Sequence, residues 1–171
     1  MNLDMSTVSL QSGDSQSAIE SFRAGASAAS DGEALVLPRW RDEDWAKLFE
    51  FTSIRSVKAG DALIRHGEPD RTLYFVLRGE LEVILHSGDG ISMGRVALIK
   101  AGSVLGELAF FDGGPRSAGA WSVAHCDVAA MPPDQFAAFE RSNPTLARDF
   151  LFALGRILAV RLRRTNARVF R

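Results

Sequence analysis

Two side chains nine positions apart carry the most suggestive chemistry in this chain: Glu107 and Arg116, within "GELAFFDGGPRSA", Gly106–Ala118. Gly106, lacking a Cβ, permits close approach of backbone to a ligand. "ELAFF" is long enough for about one helical turn, whose first N–H groups have no intrahelical partner and suit an anion. "DGGP" then reverses the chain and returns Arg116 towards the start of that turn. A guanidinium fork beside free amides is a good phosphate receptor. Glu107 repels a phosphate and must serve another group, for which a hydroxyl donor is the natural choice. A sugar phosphate carries both groups a few ångströms apart. The alternative open from spacing alone is an ion pair between Glu107 and Arg116 that closes the loop.

The elements that position this loop are short. From Thr52 to Met131, runs rich in Val, Ile, Leu and Phe alternate with Gly-containing turns: "TSIRSV", "ALIRH", "TLYFVL", "ELEVILH", "SMGRVALI", "SAGAWSVA" and "CDVAAM". Short strands at regular spacing with turn signals indicate an all-β sandwich or barrel. In "ELEVILH", Leu81, Val83 and Leu85 mark the period of a half-buried strand. Upstream, "RDEDWAKLFEF" places Trp45, Leu48 and Phe49 on one helical face. From Pro133 the period changes. "PDQFAAFERSN" reads as a helix ending near Asn143, and Pro144 suits the first turn of the next. Leu146, Phe150, Leu154, Ile157, Leu158 and Leu162 follow at helical spacing. Leu151, Phe152 and Val160 widen the stripe until the middle of this helix is apolar nearly all round. Such a helix is buried on two sides, by the β domain and by a second body. Residues 1–33, dominated by Ser, Ala, Gly and Asp, are expected to be a mobile leader, with "SAIESFRAG" able to form a short helix.

The 171 residues suffice for one domain with a core. Hydrophobic residues make up 46% and charged residues 24%, the balance of a soluble globular protein. A net charge of −1 argues against bulk attraction to nucleic acid. The charge is nevertheless uneven: residues 156–171 hold six Arg and no acid, whereas residues 1–34 hold five acids and one Arg. The basic end reads as a solvated helix face or as an interaction tail for an anionic partner. Cys126 is the only cysteine, so no intrachain disulfide can form and nothing suggests an oxidising compartment. The N-terminus has no basic region followed by an apolar core, so it is not a secretory signal. "FLFALGRILAV" is too short to span a membrane, which needs about 20 apolar residues. A cytoplasmic protein with no membrane insertion is expected.

The segment from Gly106 to Ala118 resembles the phosphate-binding cassette of cyclic nucleotide-binding domains, the family of the catabolite activator protein and the protein kinase A regulatory subunit. The family pattern is Gly-Glu-Leu, an apolar turn, then a loop ending in Arg-Ser/Ala-Ala. Here it reads Gly106-Glu107-Leu108, then Pro115-Arg116-Ser117-Ala118, without insertion or deletion. The resemblance extends over about residues 40–169 and includes "AGDALIRHGEPDRTLYFVLRGELEVI". It implies a mainly β fold with flanking helices: a cyclic nucleotide-binding β-roll (a double-stranded β-helix or jelly roll, cupin-like) with a short helix in the cassette and two C-terminal helices. The domain would cover residues 34–171, with the β-roll at about 52–131 and the C-terminal helices at about 133–169.

By that resemblance Arg116 pairs with the cyclic phosphate and Glu107 accepts the ribose 2′-hydroxyl. Gly106, Leu108, Ser117 and Ala118 line phosphate and ribose, and apolar barrel walls hold the base under a lid from the last helix. In the lid, Thr165-Asn166 correspond to a Thr-Ser pair that meets adenine in the catabolite activator; the alternative is exposed helix surface. A Thr directly after the cassette Arg favours guanine in this family. Ser117 resembles the cAMP-binding version, so cAMP is the expected ligand and cGMP the alternative. The expected function is a cyclic nucleotide-binding regulatory domain signalling through its C-terminal helix, with a homodimer or partner protein engaged through that helix.

Three other functions compete. A cupin-like metalloenzyme would need a His cluster, and His66, His86 and His125 offer no His-x-His pair and no Glu at ligand spacing; neither enzymatic activity nor a metal is expected. A transcription factor of the catabolite activator type would need a helix-turn-helix after the long helix, and the sequence ends at Arg171, so specific DNA binding by this chain is not expected. The third is an interaction scaffold of the same fold that binds no nucleotide.

Overall fold

The computed structural model describes residues 12–28, 33–86 and 92–169. Five helices and eight strands follow in the order α1 (Ser12–Ala28), α2 (Asp42–Phe49), β1 (Ser53–Val57), β2 (Ala62–Ile64), β3 (Leu73–Arg78), β4 (Glu80–His86), β5 (Ser92–Lys100), β6 (Val104–Leu105), α3 (Glu107–Asp112), β7 (Gly119–Ser122), β8 (Cys126–Met131), α4 (Pro133–Ser142) and α5 (Pro144–Val169). The strands form two antiparallel four-stranded sheets, ordered β1-β8-β3-β6 and β2-β7-β4-β5. This is the mainly β roll with flanking helices that the family resemblance implies.

β3 shows why the roll needs helices on one side. Tyr74 and Val76 point between the two sheets, where they meet Val57, Leu63, Leu81 and Val128. Leu73, Phe75 and Leu77, alternating with them, face a second core built from the helices. A strand buried on both faces reads as a continuous apolar run, as "LYFVL" does. The Phe75 ring lies 5.5 Å from Phe22 of α1, 5.5 Å from Phe49 of α2 and 5.9 Å from Phe150 of α5. One side chain thus ties three helices to the sheet.

Two elements depart from the sequence reading. Residues 12–28 of the expected leader are a helix longer than the short one open to "SAIESFRAG": Ala18, Ile19 and Phe22 form its buried face, with Phe22 fully enclosed. Two large anchors one turn apart suffice because a ready-made aromatic pocket receives them. Residues 1–11 of the expected leader lie outside the described residues, as does the "SGDG" turn between β4 and β5. β6, two residues long, is too short for any period to reveal it; Leu105 pairs with Tyr74 and Val104 with Phe75. The buried face of β4 also fades along its length, from Leu81 in the core to an exposed Leu85.

α1 seats on the turn before β6. A Cβ on Gly102 would collide with the backbone at Gly25 and Ala26, and one on Gly25 with Ala101 and Gly102. Gly102 also has φ +85°, a conformation that disfavours other residues. The α1 packing therefore reaches the segment that leads into Gly106–Ala118.

Candidate functional site

The cassette segment folds as its residues suggest. Gly106 caps α3 with φ 89°, in the left-handed region that glycine reaches without steric cost. A Cβ there would also meet the Arg116 guanidinium and the Thr72 carbonyl. Gly113 ends the helix in the same left-handed conformation, its N–H bonded to the Ala109 carbonyl. Arg116 then returns beneath the start of α3. Its backbone N–H donates to the Glu68 carbonyl at 2.9 Å, and its carbonyl accepts from the Gly67 N–H at 2.9 Å.

Arg116 is almost wholly buried, at 3% exposure. Its Nη2 donates to the Thr72 carbonyl at 2.6 Å and to the Asp70 carboxylate; its Nη1 donates to the Gly106 carbonyl at 3.1 Å. The guanidinium lies over the Tyr74 ring, 5.6 Å from its centroid. Asp70 is itself fixed by the Thr72 N–H at 3.0 Å and the Thr72 hydroxyl at 2.7 Å. Partial burial works to raise the Asp70 carboxyl, but hydrogen bonds from Arg116 and Thr72 outweigh it and hold the group below its ordinary value. The Arg116 Nε is buried and has no hydrogen-bond partner. A buried unpaired donor is costly.

Glu107 is buried at 7% exposure. It does not pair with Arg116, so the loop-closing ion pair is not formed: Asp70 takes Arg116, and Arg161 of α5 takes Glu107. Arg161 Nη1 donates to Glu107 Oε1 at 2.6 Å, Nη2 to the Val104 carbonyl at 2.9 Å and Nε to Glu33 Oε2 at 3.0 Å. Glu33 also pairs with Arg164. Burial alone would depress the Arg161 guanidinium; the Glu107 charge and hydrogen bond, then Glu33, outweigh burial and raise it.

These groups surround one cavity of about 290 Å³, near the lower end of the roughly 300–1,000 Å³ usual for small-ligand sites. Gly106, Glu107, Leu108, Arg116, Ser117, Ala118 and Thr165, all singled out from sequence, line it. Asn166 is exposed and does not line it, because successive residues on a helix project about 100° apart at 3.6 per turn. Ile64, Val83, Ala97, Ile99 and Ala120 supply an apolar wall from the second sheet. Thr165 is held by its own helix, its hydroxyl donating to the Arg161 carbonyl at 3.0 Å. The sequence reading missed Asp70, Arg161, Arg164 and Glu33. The Arg residues of the basic end were visible as charge, but nothing local marked two of them as cavity residues.

Other chemistry is sparse. Among the described residues no three His, Cys, Asp or Glu converge as a metal group, and no helix is long and apolar enough to cross a membrane. Cys126 is buried and its thiol is pushed up to about 11, first by burial and then by the Asp127 charge, which leaves it a poor nucleophile.

Residues 54–143, just over half the chain, match the cyclic nucleotide-binding domain family. The Glutaminase 2 of Bradyrhizobium diazoefficiens is 30% identical over 138 residues, which are 81% of this chain and 21% of that protein. A CRP-like cAMP-activated global transcriptional regulator of Mycobacterium tuberculosis is 29% identical over 107 residues, 63% of this chain and 46% of that one. The chain thus spans less than half the length of either curated relative. A cyclic nucleotide-binding domain from Methylobacillus flagellatus shares the fold, with a TM-score of 0.80 over 98% of this chain and 88% of that one at 21% identity. By the matched family and by the antiparallel roll that carries Gly106–Ala118, this chain belongs to the cyclic nucleotide-binding domain family.

Proposed function

We propose that the chain is a non-enzymatic sensor domain that binds cAMP in the cavity beneath α5 and passes the signal on through that helix. One observation carries the reading: a buried guanidinium, a buried carboxylate and an apolar wall line a single cavity. Those are a donor for a phosphate, an acceptor for a sugar hydroxyl and an apolar surface for a base. Arg116 takes the phosphate, Glu107 the ribose 2′-hydroxyl, and Gly106, Leu108, Ser117 and Ala118 surround them. Thr165 is the polar group α5 offers the base. The preference for cAMP over cGMP rests on Ser117 and on the relative described as cAMP-activated. Titration calorimetry with both nucleotides tests the reading: cAMP binds more tightly than cGMP. Absence of heat with either, on folded protein at millimolar ligand, removes it.

A route from cavity to helix is available in ring contacts. Phe110 of α3 lies 5.1 Å from Phe136 of α4, which lies 6.0 Å from Phe150 of α5. A displacement of α3 on ligand binding reaches α5 through packed rings, which transmit strain because the interior is close-packed.

Glu107 offers a sharper test. A hydrogen bond to a charged acceptor contributes about 1.5–3 kcal/mol, so wild-type protein should prefer cAMP over 2′-deoxy-cAMP by roughly 10- to 150-fold at 1.4 kcal/mol per decade. In Glu107→Ala the two ligands should bind nearly alike. Undiminished preference in that variant would assign Glu107 to holding Arg161 and nothing more.

The outer face of α5 supports a homodimer. Phe152 and Leu162 are 76% and 62% exposed, and Gly155 and Ala159 lie exposed between them. Residues 152, 155, 159 and 162 follow coiled-coil a and d spacing, and Asn166 continues it at an a position, where a polar residue fixes register. Exposed Arg156 and Arg163 fall at e, and half-buried Leu151 and Leu158 at g. An antiparallel pair would set Arg against Arg; a parallel pair sets Arg stems on Leu. The dimer is therefore parallel. Light scattering should report a dimer for the wild type and one chain for Phe152→Asp with Leu162→Asp; an unchanged mass in the variant refutes the seam.

A second reading has its own observation. Asp70 and two carbonyls already hold the Nη groups of Arg116, and Arg161 already holds Glu107. A scaffold with a self-satisfied cavity would need no nucleotide, and silence in the same calorimetry would select it.

A further inference from the structure

We infer that Glu33 is a positioning residue of the ligand site, acting through Arg161 on Glu107; this rests on the reading of Glu107 as the acceptor of a ligand hydroxyl. Glu33 lies outside the matched family region, residues 54–143, and 128 positions from Arg161.

The geometry is a relay of fixed groups. Arg161 uses all three sides of its fork: Nε on Glu33, Nη1 on Glu107 and Nη2 on the Val104 carbonyl. The side chains of Glu33, Arg161 and Glu107 are 18%, 21% and 9% exposed, so each link is largely shielded from water and only weakly screened. Glu33 and Arg161 also line the cavity with Glu107. Because the guanidinium is planar, fixing its Nε edge and one Nη fixes where the other Nη points. Arg161 binds Glu107 through Oε1, which leaves Oε2 to face a hydroxyl at an orientation set from behind. Glu33 also shares the charge of Arg161. Without that share, Arg161 is balanced by Glu107 alone, draws on its carboxylate more strongly, and makes it a poorer acceptor for the ligand.

Removing the Glu33 charge has two effects that must be separated. A less acidic cavity attracts any anionic ligand more, whatever its sugar. Loss of positioning affects only a ligand with a 2′-hydroxyl. The ratio of the 2′-deoxy-cAMP and cAMP dissociation constants cancels the first effect and keeps the second.

The experiment is that ratio, measured by calorimetry on full-length wild type and Glu33→Gln, an isosteric change near the surface. A thermal melt of each protein verifies folding. The ratio should fall at least about twofold in Glu33→Gln, the low end of coupling within one hydrogen-bonded network. An unchanged ratio, with cAMP and 2′-deoxy-cAMP shifted alike, overturns the inference and shows Glu33 to act as a charge only, while the site reading stands. A wild type that binds cAMP but does not distinguish the two ligands overturns both the Glu107 reading and this inference. Should Glu33→Gln melt far below wild type, Glu33→Asp supplies the second test: it keeps the charge and shortens the reach, so positioning requires its ratio to fall too, and a wild-type ratio there refutes it.

Discussion

Arg116→Ala is expected to weaken cAMP binding by roughly 150- to 4,000-fold, the equivalent of about 3–5 kcal/mol for removing one partner of a buried ion pair. The buried guanidinium, at 3% exposure, cannot be replaced by water without reshaping the site. Arg116→Lys keeps the charge but loses the fork. It cannot reach Asp70, Thr72, Gly106 and a phosphate together, so its affinity should fall between those of wild type and Arg116→Ala. The same substitutions free the Thr72 and Gly106 carbonyls from their donor, so circular dichroism and a melt must accompany each titration. An Arg116→Ala protein that stays folded and binds cAMP like the wild type would exclude Arg116 as the phosphate receptor. Because lysine retains the charge, the alanine and lysine variants together separate loss of attraction from loss of geometry.

What was legible in the sequence was local. The Gly-Glu-Leu start and the Arg-Ser-Ala end of the cassette stand in one loop of chain, so spacing alone could bring them to one place. Strands β3 and β8 announced themselves as short apolar runs between turns, and helices α2 and α5 by period. The partners of the two charged groups could not be read that way. Arg116 meets Asp70 at a separation of 46 residues, and Glu107 meets Arg161 at 54. No periodicity links such positions; only the closing of the roll and the return of α5 across it do. Spacing favoured the opposite charge in the same loop, Arg116 for Glu107, and the fold instead gave each group its own counter-charge. Asp70 does lie next to Arg71 and Thr72 in a turn-rich segment, "GEPDRT". Nothing in that segment separates a turn-forming Asp from one that braces a guanidinium, and here one carboxylate does both.

α1 was legible only as a short helix within "SAIESFRAG", for a different reason, and that reason yields the second large prediction. Its 17 residues are mostly small or polar, and a hydrophobic stripe needs more than Ile19 and Phe22 to be seen. Packing, not propensity, decides such a helix. Phe22 is fully buried, 5.8 Å from the Trp45 ring, 6.0 Å from Phe49 and 5.5 Å from Phe75. Phe22→Ala should therefore cost about 3–5 kcal/mol, the range for truncating an enclosed Phe. A chain of this size melts roughly 2–4 °C lower per kcal/mol, so the melting temperature should drop by about 6–20 °C. A peripheral leader would predict a change within about 0.5 kcal/mol, which differential scanning calorimetry easily distinguishes. Saturating cAMP should raise the melting temperatures of wild type and Phe22→Ala by similar amounts, because ligand stabilises the native state according to affinity and concentration and Phe22 lies in the helix-side core, away from the cavity wall. A small drop would return α1 to the status of an appendage. A large drop with an equal ligand increment would make it a structural part of the domain, built from outside the matched family region and packed against the same Phe75 that holds α5.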